Sequence, residues 1–314
     1  MLTLTPNMPV MVIGAAFGDV ILEMERLPTS GADEIAHESG RQIGGCAFNV
    51  ARALSRLDTP VINGITVGQG TWGHAVEQAM VAESLPVQLR DPTHDNGWCL
   101  ALVEPSGERT FVTVEGCEQY WNTAALSALL PAGPSWLYAS GYELTGTQGD
   151  QLLAWLLNLP KHVTPFIDPG PRIEAMSASA LAALLARGAL FTLNREEANI
   201  LLGSPASATT VAQFCQRHRA SLIVREDKDG ALVGTPDGQC LRVQPIAVTL
   251  CDTVGAGDAH CGGTLTGLAC GMPLIEAVQL GNQVAAIVVS RPGAGGAPTA
   301  VELTHYPQPT VSIA

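Results

Sequence analysis

The chain has 314 residues, a length that suits one large α/β domain with an appendage or two ordinary domains. Its hydrophobic content of 46%, with 33 glycines and 21 prolines, indicates a compact, turn-rich protein with a sizeable core. A net charge of −13 argues against nucleic acid or an anionic membrane surface as the main partner, and any phosphate would need local devices to hold it: backbone amides, a few cations, a metal.

Met1 to Pro9 has neither a basic start nor a long apolar core, and no apolar run reaches membrane-spanning length, so a soluble, cytoplasmic protein is expected. Val10 to Gly14 is a short apolar run ending in glycine, as in a buried parallel strand. Asp19 then stands just beyond the strand, at the edge where open α/β sheets bind ligands; a solvated loop acid is the alternative. Gly44-Gly45-Cys46-Ala47-Phe48-Asn49-Val50-Ala51 opens a helix, with Val50, Leu54 and Leu57 at helical spacing. Two glycines permit close backbone approach and Asn49 offers a donor and an acceptor, although a glycine-rich helix start with a solvated Asn49 accounts for the same residues. From Trp98 to Val114 the apolar period changes, broken by Pro105-Ser106-Gly107-Glu108, which predicts a two-stranded hairpin. Together with Asp33 to Ile43 it would form a small sheet apart from the main one.

From Pro134 the chain alternates strands and helices, the pattern of a doubly wound parallel sheet. Trp136 to Ala139 leads to Gly141-Tyr142-Glu143, a leucine-rich helix covers Gln148 to Asn158, and Thr164 to Ile167 ends in Asp168-Pro169-Gly170-Pro171-Arg172. Glu143 and Asp168 therefore fall past strand ends. Ala189 to Leu193 runs into Asn194-Arg195-Glu196-Glu197, where Asn194 caps a helix and Glu197 takes the capping-box position. Ser221 to Val224 precedes the charged turn Arg225-Glu226-Asp227-Lys228-Asp229-Gly230, readable as surface or as cations near a phosphate. Later, Gly262, Gly263 and Gly267 predict a helix lying close to the sheet, and Asn282 sits mid-helix. Eight cysteines without a Cys-x-x-Cys pair or zinc-spaced histidines read as free thiols.

Cys251-Asp252-Thr253-Val254-Gly255-Ala256-Gly257-Asp258 reads as a strand end, a tight turn and a helix start. Unpaired N–H groups of the first helical turn, together with the helix dipole, make an anion site that small residues leave open. Asp258 would repel an anion there unless it accepts a proton from a hydroxyl attacking phosphorus; otherwise it caps the helix.

Asp252-Thr253-x-Gly255-Ala256-Gly257-Asp258 resembles the C-terminal signature of the ribokinase-like (PfkB) carbohydrate kinases, and Gly44-Gly45-x-x-x-Asn49-x-Ala51 is similar to their N-terminal signature. Likenesses in the family's order run from Val10 to about Pro298. The resemblance implies a three-layer α/β/α sandwich with a doubly wound, mostly parallel sheet and a small β-sheet lid. It implies one kinase domain over 1–304, lid strands from about 19–43 and 98–114, and a tail at 305–314. The implied reaction is transfer of the γ-phosphate of ATP to a primary hydroxyl of a small sugar or sugar derivative. Asp258 would be the general base, and Gly255, Ala256 and Gly257 the anion hole. Asp19, Gly44, Gly45, Asn49 and Glu143 would hold the sugar, and Asn194, Thr253 and Asn282 the nucleotide. Glu197 would organise Mg2+ through water, backbone carbonyls of Arg291-Pro292-Gly293-Ala294 would hold K+, and the lid would serve as a dimer clasp. Three departures stand out: Phe17 replaces a polar contact of ribokinase, Gly170 replaces the Asn of an Asp-x-Asn-x-Arg pattern that would make Arg172 a phosphate neighbour, and Arg225 and Asp227 replace a common Thr and Gly. A nucleoside kinase, with Phe17, Phe48 or Trp98 stacked on a base, and a non-catalytic sugar or nucleotide sensor share the same motifs.

Overall fold

Alternate residues of the first strand face opposite cores. Val10 and Val12 belong to one apolar cluster and Met11 and Ile13 to the other, all fully buried, as a central strand covered on both faces requires. The computed structural model describes residues 4–293 and 295–314, with the backbone alone at 313. In chain order, β1 (Val10–Val12), β2 (Phe17–Met24) and β3 (Ala36–Gly44) lead to α1 (Cys46–Arg56), β4 (Val61–Asn63), β5 (Thr66–Val67) and α2 (Thr71–Ala82). Next come β6 (Leu89–Arg90), β7 (Trp98–Val103), β8 (Arg109–Val114), α3 (Thr123–Leu129), β9 (Ser135–Ser140), α4 (Gly141–Leu144) and α5 (Gly149–Leu157). The alternation continues with β10 (Val163–Asp168), α6 (Ala178–Ala186), β11 (Leu190–Asn194), α7 (Arg195–Leu202), α8 (Ala208–His218) and β12 (Leu222–Arg225). The chain closes with β13 (Ala231–Gly234), β14 (Cys240–Val243), α9 (Ala256–Ala269), α10 (Leu274–Val289), α11 (Ala300–Leu303) and β15 (Val311–Ile313).

Among the described residues the main sheet has nine strands in the order β15-β14-β13-β12-β11-β10-β9-β1-β4. It is parallel from β4 to β12 and antiparallel from β12 to β15. The core on one face draws on α1, α9 and α10, and the core on the other on α5, α6 and α8, which makes three layers. A separate four-stranded sheet, β3-β2-β7-β8, is the expected lid, with β7 and β8 forming the hairpin read at 98–114. No helix among the described residues is long and apolar enough to cross a membrane.

Four expectations change. The residues leading to Cys251 form no strand: β14 ends at Val243 and an extended loop follows, tied back where the Cys251 and Asp252 N–H groups donate to the Val289 carbonyl. The segment 305–314 is no free tail, because Val311–Ile313 pairs with β14 as an edge strand. The lid begins at Phe17 rather than at about residue 19, so Asp19 lies inside β2 and is not the loop acid of the alternative reading. The glycines of α9 admit helices rather than the sheet. A Cβ at Gly262 would meet the Ala53 side chain of α1, and one at Gly263 or Gly267 the backbone of Gly281 or Ala277 in α10.

Candidate active site

The C-terminal ends of β9, β10, β11 and β12 bring Glu143, Asp168, Asn194 and Arg225 to one edge of the sheet. Gly255 caps α9 in the left-handed region (φ 76°), which glycine adopts without a steric penalty. Among the described residues, the N–H groups of Gly255, Gly257 and Asp258 make no hydrogen bond within the protein. The Ala256 N–H, expected to join them, turns instead to the Thr253 carbonyl at 3.2 Å. Asp252 fixes this turn: one oxygen accepts from Val254 N–H (3.0 Å) and the other from Gly293 N–H (3.1 Å). These amides hold its carboxyl below the usual aspartate range. Thr253 itself is exposed. Of the expected cation loop 291–294, Gly293 is thus seated beside the signature, while Ala294 lies outside the described residues.

Asn49 joins the two signatures. It is 8% exposed on α1, and its Nδ2 donates to Asp258 Oδ2 at 2.8 Å across 209 residues of sequence. Arg52 lies behind it, donating from Nη1 to Asn49 Oδ1 at 3.3 Å while its guanidinium rests 4.5 Å over the Phe48 ring. Desolvation pushes the Asp258 carboxyl up to about 6; the bonds from Asn49 and Cys46 and the charge of Arg225 pull it down, and the charge of Asp168 pushes it up. A carboxylate with that value is ionised at neutral pH and remains a competent proton acceptor. If Asp258 is the base, activity should fall as pH drops through about 6. A kcat/KM profile flat down to pH 5 would count against it.

Gly45 follows the lid strand β3 at φ 96°, ψ 138°, where only glycine is at ease, and a Cβ there would stand 2.7 Å from the Ala15 carbonyl oxygen. Gly45→Ala should therefore cost about 1–3 kcal/mol of stability and raise the KM for the acceptor, read from denaturant melts and initial rates. Gly44 is equally confined, since a Cβ would lie 2.6 Å from Asp19 Oδ2. Asp19 accepts from the Cys99 thiol at 2.9 Å, and burial raises its pKa. Glu143 is 4% exposed and serves the frame. It forms the capping box of α4 with Ser140 and accepts from Ala15 N–H at 3.2 Å, leaving only its remaining lone pairs for an acceptor.

Asn194 and Glu197 form the capping box of α7: Asn194 Oδ1 accepts from Glu197 N–H, and Asn194 N–H and Nδ2 donate to the Glu197 carboxylate, all at 2.8 Å. Asn282 Nδ2 reaches the carbonyls of Val243 (3.4 Å) and Gln244 (3.2 Å), so it ties α10 to the end of β14 rather than lying exposed. Arg172 is exposed and stacks 5.2 Å over Tyr142. Phe48 is fully buried, which removes it as a stacking platform for a base, and Trp98 stacks on Trp72 at 5.9 Å.

The turn 225–230 differs most from expectation. Asp227 adopts the left-handed conformation (φ 51°), which Asp tolerates better than most residues. Arg225 is no surface residue: its side chain is 14% exposed and forks onto Asp168 at 2.9 and 3.2 Å. The signal available in the sequence was position, since Arg225 ends β12 as Asp168 ends β10 and Asn194 ends β11.

Residues 8–300 match the pfkB family carbohydrate kinases. The chain belongs to that family. It is 45% identical over 305 residues to the uncharacterized sugar kinase YegV of Escherichia coli (strain K12), covering 96% of this chain and 94% of that one. The fold is similar to that of ribokinase from Thermotoga maritima, with a TM-score of 0.78 at 18% identity over 95% of this chain and 98% of that one. It is similar also to fructokinase from Vibrio cholerae O395 in a fructose-, ADP- and calcium-bound form, with a TM-score of 0.77 at 22% identity over 96% and 99%. The α/β/α sandwich with its small lid sheet is thus the ribokinase fold, and the carbohydrate kinase is a phosphotransferase with a hydroxyl acceptor.

Proposed function

We propose that this kinase transfers the γ-phosphoryl group of ATP to a primary hydroxyl of a small sugar or sugar derivative, with Asp258 as general base. The observation that carries the reading is the Asn49–Asp258 bond, which joins a partly desolvated carboxylate at the start of α9 to the first turn of α1, just after the glycine pair at the end of β3. Asp258 takes the proton of the attacking hydroxyl as the oxygen–phosphorus bond forms and the bond to the leaving ADP oxygen breaks. The unpaired amides at 255, 257 and 258 stabilise charge gathering on the transferred oxygens; such donors are worth about 3–4 kcal/mol each. Asp19, Gly44, Gly45 and Asn49 orient the acceptor, with Glu143 behind them. Asn194, Thr253 and Asn282 border the nucleotide.

Among the described residues no group of three or more His, Cys, Asp or Glu side chains is arranged to bind a metal directly. That suits Mg2+, which keeps most of its waters and leans on substrate phosphates. Glu197 fits the outer sphere of the ion, since each of its oxygens accepts one bond from Asn194 and retains a lone pair. When bound, the ion offsets phosphate charge. The carbonyls around Gly293 would hold K+, and the exposed lid residues Ile35, Phe111, Val112 and Val114 support a clasp between two copies of the chain. ADP release across a panel of sugars and nucleosides, with Mg2+ and K+ present, tests the reading. Turnover on a sugar with a free primary hydroxyl is expected, and turnover confined to nucleosides would replace it.

A further inference from the structure

Three carboxylates converge on the edge where a polyanion would bind. Asp168 and Glu197 are 7% and 5% exposed, and the charge of Asp168 raises the pKa of Asp258. Among the described residues, Arg225 is the only Lys or Arg within ion-pair distance of Asp168 or Glu197, with Nη2 3.6 Å from Glu197 Oε2. Its guanidinium also lies against the α9 turn: Nη1 is 3.5 Å from the Gly257 carbonyl oxygen and 3.3 Å from where a Gly257 Cβ would be. It reaches there from β12 by crossing the end of β11 to Asp168 on β10. Forked onto Asp168, the group has little freedom left, so its charge is fixed rather than recruited when a ligand arrives. It stands where the family commonly has threonine, so the two signatures do not account for it.

Resting on the kinase reading above, we infer that Arg225 is a positioning residue for the nucleotide: Asp168 holds its guanidinium against the first turn of α9, where it supplies the fixed positive charge that lets a triphosphate approach the carboxylates. The rival role is that of counter-ion to Asp168 alone. The two differ in what happens when both partners are removed. As a counter-ion, Arg225 is dispensable once Asp168 is neutral; as a charge for the nucleotide, it is not.

The experiment compares the full-length wild type with Arg225→Met, Arg225→Lys, Asp168→Asn and the Arg225→Met/Asp168→Asn pair. It reads ATP affinity by titration calorimetry with Mg2+, KM for ATP and for the acceptor, and Tm. Arg225→Met is expected to weaken ATP binding and raise its KM by about 10- to 100-fold, with the acceptor KM little changed. Arg225→Lys recovers most of that loss. The double variant regains Tm and keeps the ATP defect. A double variant that binds ATP like the wild type overturns the inference, as does Arg225→Met with ATP affinity intact. A variant too unstable to assay leaves the decision to the double and the Lys substitution. Wild-type protein that binds no ATP overturns the kinase reading, and this inference with it.

Discussion

Asp258→Asn is expected to lower kcat by about 10²- to 10⁴-fold while ATP and acceptor binding stay nearly unchanged, because the amide keeps the shape and the Asn49 contact but takes up no proton. The same substitution should stabilise the fold at neutral pH. Desolvation makes the charged form of Asp258 costly, raising its pKa from 3.8 to about 6 in the folded chain. Such a group binds its proton more tightly folded than unfolded, so it destabilises the protein above pH 6, and the penalty disappears as pH falls from about 6 to 3.8. The Asn variant should gain about 1–3 kcal/mol above pH 6, with the gain fading towards pH 4. Chemical denaturation at pH 8 and pH 4 with parallel steady-state kinetics would read both effects. Lost stability at pH 8, or weakened binding with turnover retained, would make Asp258 a structural cap.

Asp168→Ala is expected to be the most damaging single change to the fold near the site. Asp168 accepts both guanidinium nitrogens of Arg225 and the Cys261 thiol at 3.3 Å, in a setting almost closed to water. Removing one member of a buried pair strands the other, typically at about 3–5 kcal/mol. The urea midpoint should fall with an unchanged slope. A loss below about 1 kcal/mol would mean that Arg225 finds another partner, with Glu197 at 3.6 Å the candidate.

Local chemistry was legible wherever its partners are close in sequence. The capping box at Asn194 and Glu197 spans three residues, and the structure repeats it bond for bond. The hairpin at 98–114 needs only a period of two and a turn, and β7 and β8 pair through it. Asp258 and the glycines before it are neighbours in sequence, so the turn and the start of α9 were readable before any fold was known. Even here the choice of donors was beyond the spacing, because the Ala256 amide is spent on Thr253.

Where the partner is distant, residue type and period left the reading open. Asn49 could be solvated or functional until the fold carried it to Asp258. Arg225 fitted a surface turn equally well, because nothing in its neighbourhood names an acid 57 residues earlier. The last strand adds to the sheet through backbone bonds that need no sequence signature, and the small residues of α9 turned out to admit α1 and α10. Side-chain period and turn chemistry act over a few residues and specify elements, caps and loops. Which charges meet in a closed space depends on strand order and burial, and those arise only when the whole chain has packed.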